Sequence, residues 1–183
     1  MAANEGRSGV LLVAGLLCLS LLANVRASGR DQYENEKYCF SFSPPETLVM
    51  HEDRHSGAGV QFTSESCGRQ ESDCGALSVF AEYLTYEAKG TPLDNMIDGF
   101  LSRGWAKTDQ SVIRRNGQEW IKASVSRPED KKPREAIILT LSSRSNTPAV
   151  QYWIIAEFSP TDRQRWLKEI ERVLNGWRYR DPC

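Results

Sequence analysis

The sequence predicts an α+β fold: an α/β/α sandwich on an antiparallel sheet of about six to seven strands, with two amphipathic helices. Three observations predict it. Strand-like alternation recurs through most of the chain, with an Asn116-Gly117 pair between two such segments, and Asn-Gly is the strongest short signal for a hairpin. Two stretches carry apolar residues at helical spacing, one at mid-chain and one near the end. The central strands are apolar on both faces, with Ile121, Ala123 and Val125 opposite Trp120, and Ile154 opposite Trp153 and Ile155. A sheet apolar on both sides needs a covering layer on each, and two helices can supply them.

The chain has 183 residues. It opens with an uncharged run from Gly9 to Ala23, about the length of a signal-peptide core and shorter than the roughly 20 residues that span a bilayer. Arg7 precedes the run, and Val25-Arg26-Ala27 offers small residues at −3 and −1 of a cleavage site after Ala27. Residues 1–27 are read as a signal peptide. Cys18 does not make a lipidation site, because the bulky Leu17 precedes it. Residues 28–36 form a polar, extended lead-in, and 37–183 a single globular domain. The protein is expected to be exported to the periplasm or the extracellular space.

Removing the leader takes Arg7, Arg26 and Glu5 with it and leaves 21 basic against 23 acidic side chains. This balance lacks the basic footprint of a nucleic-acid binder. No second stretch approaches bilayer length, so no stable membrane insertion is expected once the leader is gone.

Four cysteines remain after cleavage: Cys39, Cys67, Cys74 and Cys183. An even number in an exported chain reads as disulfides, with three possible connectivities. Cys67 and Cys74 bracket a short polar loop and are expected to pair. Cys39 then pairs with Cys183, tying the first strand to the far end of the chain.

Tyr38–Phe42 reads as a short strand stopped by Pro44-Pro45, which cannot donate to a ladder. Gly59–Thr63 and Ala76–Leu84 follow as strands. Thr91 caps the first helix, Pro92 suits its first turn, and Leu93, Met96, Ile97, Phe100 and Leu101 line one side before Gly104 ends it. The hairpin runs from Trp105 to Arg115 and from Gln118 to Ser126. Ala136–Leu141 and Val150–Phe158 complete four antiparallel strands. Ser159-Pro160 opens the last helix, with Trp166, Leu167, Ile170, Val173, Leu174 and Trp177 as its apolar stripe. Gly176 stops it, and Trp177–Arg180 has the alternation to run back beside the first strand.

With these elements in place the chain resembles the PsbP-like superfamily, over about residues 36–180. The resemblance is carried by Tyr38-Cys-Phe-Ser-Phe-Ser-Pro-Pro45, the mid-chain helix, the meander and the final helix ending in Asn175-Gly-Trp-Arg. It implies a non-enzymatic domain that binds or stabilises a partner protein, such as a periplasmic subunit or a toxin-immunity protein.

One motif has the form of chemistry. His51-Glu-Asp-Arg-His55 matches H-E-x-x-H and holds both histidines of the protein. On a helix that spacing sets two imidazoles on one face to hold zinc, with the glutamate as general base. Asp53 and Arg54 occupy inner positions that a buried zincin helix leaves uncharged, and Ser56-Gly-Ala-Gly59 ends any helix at once. The cluster is therefore expected to be a solvated turn before a strand. A small zinc hydrolase using His51, Glu52 and His55 is the alternative function. No G-x-S-x-G motif and no phosphate-binding glycine loop occurs. Glu169 and Glu171 are expected as solvated carboxylates on the polar side of the last helix. Trp120 and Trp153 are candidates for an exposed partner-binding patch. The expectation is thus an unidentified protein partner, no catalytic residues, no metal and no cofactor.

Overall fold

The structure is a computed structural model, and it describes residues 32–52, 58–64, 74–84, 91–127, 132–143 and 149–180. The leader, its cleavage site, His55, Cys67 and Cys183 lie outside these residues.

Seven strands form one antiparallel sheet: β3 (Leu48–Glu52), β4 (Gly59–Ser64), β5 (Ala76–Tyr83), β6 (Ala106–Arg115), β7 (Gln118–Arg127), β8 (Arg134–Ser142) and β9 (Val150–Phe158). Their order is β3-β4-β5-β9-β8-β7-β6. A second sheet has three short strands, β1 (Tyr33–Asn35), β2 (Phe40–Phe42) and β10 (Arg178–Tyr179), with β2 in the middle. The helices are α1 (Pro92–Leu101) and α2 (Arg163–Gly176), the latter led by a 3-10 turn at Pro160–Asp162.

Alternation along the strands sends side chains to two faces, and each face has its own cover. Leu77, Val79, Ile137, Leu139, Tyr152, Ile154 and Trp120 pack against α2 and the inner side of the small sheet. Phe80, Ala123, Val125, Ala136, Ile138 and Trp153 pack against Leu93, Ile97 and Phe100 of α1. The expected α/β/α sandwich is present, with the small sheet sharing a layer with α2.

The caps follow the sequence signals. Thr91 Oγ1 accepts from the Asp94 amide at 3.2 Å, and Pro92 occupies the first turn of α1. The Asn116-Gly117 turn has φ of 52° and 75°, the two left-handed residues of a type I′ hairpin.

Two strands depart from the sequence reading. Tyr33–Asn35, within the polar lead-in, pairs with β2 in the register Tyr33↔Phe42. Leu48–Glu52, expected to lead into a solvated turn, is a strand paired with β4 through Glu52. Both are edge strands of their sheets, where water covers one side and strict apolar alternation is not required.

Candidate functional site

The motif with the form of a zinc site does not start on a helix. His51 and Glu52 are successive residues of β3, opposite Gln61 and Val60. Both positions are extended backbone, so the helical spacing that the zinc motif requires is absent from them. His51 is exposed, and its Nε2 lies 2.9 Å from Thr63 Oγ1. Among the described residues no three His, Cys, Asp or Glu side chains come together as a metal-ligand set.

The tryptophan expectation is corrected. Trp120 is 0% exposed and Trp153 1% exposed, so neither contributes to a surface patch. Trp120 lies beneath the small-sheet layer, edge-to-face with Trp177 at 5.1 Å. Trp153 lies on the α1 side, where its indole N–H donates to Glu82 Oε1 at 2.8 Å. Sheet alternation identified their faces correctly; covering layers on both faces make them core.

Glu169 also departs from expectation. It is 6% exposed and joins α2 to the chain after β2. Its Oε1 accepts from Thr47 Oγ1 at 2.5 Å and its Oε2 from the Glu46 amide at 3.3 Å. Arg165 Nη2 donates to the Thr47 carbonyl at 3.0 Å, and Arg172 Nε to that of Pro44 at 2.8 Å. Segment 44–47, which has no ladder of its own, is therefore held on α2 by three side chains. Glu171, two residues on, is exposed as expected.

Beside this strap a groove of about 710 Å³ lies between the outer side of α2 and the small sheet. Ser43, Lys168, Glu171, Arg172, Asn175 and Arg178 line it, together with Gln32 and Gly176. Arg172 also pairs with Glu46 at 2.7 Å, and Glu171 meets Arg115 at 3.5 Å. Arg178 Nη1 donates to the Trp177 carbonyl at 2.6 Å. A second hollow of about 440 Å³ lies across the small sheet, lined by Glu34, Glu36, Ser41, Arg178 and Arg180 among others. Arg178 borders both. The surface is open, polar and rich in both signs of charge, whereas small-molecule sites are enclosed and mostly apolar.

Sequence reasoning did not single out Lys168 and Arg178. One is on the polar face of a helix and the other on a two-residue strand, and the folding-back of the chain end alone brings them together.

No family model and no curated protein matches the chain. Solved structures do. LpqN of Mycobacterium tuberculosis, involved in cell envelope biogenesis, matches with a TM-score of 0.57 and 12% identity, over 75% of this chain and 81% of its own. The cyanobacterial PsbP (CyanoP) of Synechocystis sp. PCC 6803 matches with a TM-score of 0.54 and 12% identity, over 87% of this chain and 99% of its own. The protein is thus an α+β sandwich with a PsbP-like fold, as the motif around Phe40 and Phe42 implied. Among the described residues no helix is long and apolar enough to cross a membrane.

Proposed function

We propose that the protein is an exported, non-enzymatic accessory module that binds a partner protein through the groove over its small sheet. The groove carries this reading. It is wide, polar and lined by three cations and one carboxylate, the character of an interface rim rather than of a catalytic cleft. The fold shared with LpqN, an envelope-biogenesis protein, and with CyanoP supports a placement outside the cytoplasm. The leader, cleaved after Ala27, accounts for how the chain gets there.

The cysteines belong to the same proposal, as Cys39–Cys183 and Cys67–Cys74 bridges. Cys39 sits at the Tyr83 end of β5, since the Tyr38 and Tyr83 rings lie 5.0 Å apart. Cys74 precedes the opposite end of that strand, and the seven steps from Ala76 to Tyr83 span roughly 23 Å. A disulfide bridges Cα atoms at most about 7 Å apart, so these two cannot pair with each other. Arg180 donates its amide to the Cys39 carbonyl at 3.0 Å, and Cys183 is three residues on, a reach of at most about 11 Å. Ser64, by the register of β4 on β5, is at the Cys74 end, and Cys67 is three residues beyond it. Chain reach thus favours one connectivity of the three.

The test is photo-crosslinking in the producing cell from a probe at position 168. One discrete protein adduct is expected, and it is lost on Arg178→Glu while the fold is retained. An adduct insensitive to that reversal, or a purified monomer that turns over a substrate, overturns the reading.

A further inference from the structure

The second open surface is an edge. Strand β6 has ten residues and pairs only with β7 among the described elements, leaving its outer backbone groups without a ladder. Long exposed edges are templates for strand addition. Beside this one is an apolar pair. Val112 is 58% exposed and Ile121 38% exposed, and they are directly opposed across β6 and β7, on the sheet face that α1 covers farther along.

We propose that β6 pairs with β6 of a second copy, antiparallel about a twofold axis at Val112. The occupant and the register follow from charge and symmetry. A twofold axis normal to a sheet keeps each side chain on its own face, so opposed positions must add to an even number. Centring on Val112 opposes Asp109 with Arg115 of the other copy, twice, and Gln110 with Arg114. Centring one step earlier, on Ser111, opposes Asp109 with Ile113 and Gln110 with Val112, so no ion pair forms within the regular stretch that begins after the register shift between Lys107 and Asp109. The Asp109 side chain has no ion-pair or hydrogen-bond partner among the described residues, and Arg115, which meets Glu171 of its own chain at 3.5 Å, would be shared between the two carboxylates. In the favoured register Val112 and Ile121 of both copies form one apolar strip across the seam. Cross-strand pairs of these types are the unit of sheet stabilisation. Two seven-stranded sheets then become one continuous sheet with these edges closed. A heterologous strand would have no reason to carry this self-complementary pattern.

The test is sedimentation of the purified protein over a range of concentrations. A reversible dimer is expected. Val112→Lys, which opposes two ammonium groups on the axis, is expected to sediment as a monomer with an unchanged Tm, because the side chain is largely exposed. Asp109→Arg is expected to be monomeric as well, and Asp109→Arg with Arg115→Asp to recover the dimer by reversing both charges. A wild-type chain that stays monomeric at its highest soluble concentration overturns the proposal. So does a dimer that survives Val112→Lys, or a double reversal that fails to recover it.

Discussion

Asn116, at the tip of the β6–β7 hairpin, donates from its side-chain amide to the Asn175 carbonyl near the end of α2, at 2.8 Å. The same Nδ2 reaches the Leu174 carbonyl at 3.1 Å. A helix leaves its last carbonyls without partners, and here a turn distant in sequence supplies the donor. The residue type serves two needs, because asparagine tolerates the left-handed backbone at φ 52° better than any branched side chain.

The two needs separate by substitution. Asn116→Gly loses only the hydrogen bonds and is expected to cost about 1 kcal/mol. Asn116→Ala loses them and also holds a Cβ in the left-handed region, for a total of about 2–3 kcal/mol. Denaturant unfolding of the two variants checks the order. Equal costs would mean that the turn carries no strain.

The buried carboxylate of Glu169 and the Thr47 hydroxyl are expected to be strongly coupled. Glu169→Ala removes the acceptor for Thr47 and for the Glu46 amide and is expected to destabilise by about 2–3 kcal/mol. Thr47→Ala is expected to cost less alone, and little once Glu169 is gone. A double-mutant cycle in urea measures this, and additive costs would contradict the link.

Gly176, the last residue of α2, lies against Ser43, which follows β2. A Cβ there would meet Ser43 Oγ at 2.3 Å and the Ser43 backbone nitrogen at 2.4 Å. Gly176→Ala is therefore expected to cost about 1–3 kcal/mol by overpacking. Adding Ser43→Gly is not expected to recover it, since the backbone nitrogen remains. Full recovery in the double variant would show that only the Ser43 side chain obstructs.

The fold was legible wherever a periodic signal reported a buried face. Both helices, the Asn-Gly hairpin and Val150–Phe158 appear where alternation and capping residues place them. Strands β1 and β3 were not legible, because Tyr33–Asn35 and His51-Glu52 belong to short edge strands whose sequences lack apolar alternation. Trp120 and Trp153 show a related limit. Periodicity assigns a side chain to a face, but whether the face is covered depends on segments far away in sequence, including a small sheet built from both ends of the domain. Glu169 reads as solvated from helical position alone, and the strap at 44–47 buries it. The groove was illegible for the same reason: Lys168 becomes a neighbour of Gln32 and Ser43 only after the chain closes on itself.

The proposed function requires an exported chain whose partner-facing surface rests on a small sheet stapled at both ends. Peptide mapping under non-reducing conditions, on protein recovered from outside the cytoplasm, tests it most directly. The expected result is a chain beginning at Ser28 with Cys39 linked to Cys183 and Cys67 linked to Cys74. A bridge from Cys39 to Cys67 or Cys74, or four free thiols on a chain that retains its leader, would contradict it.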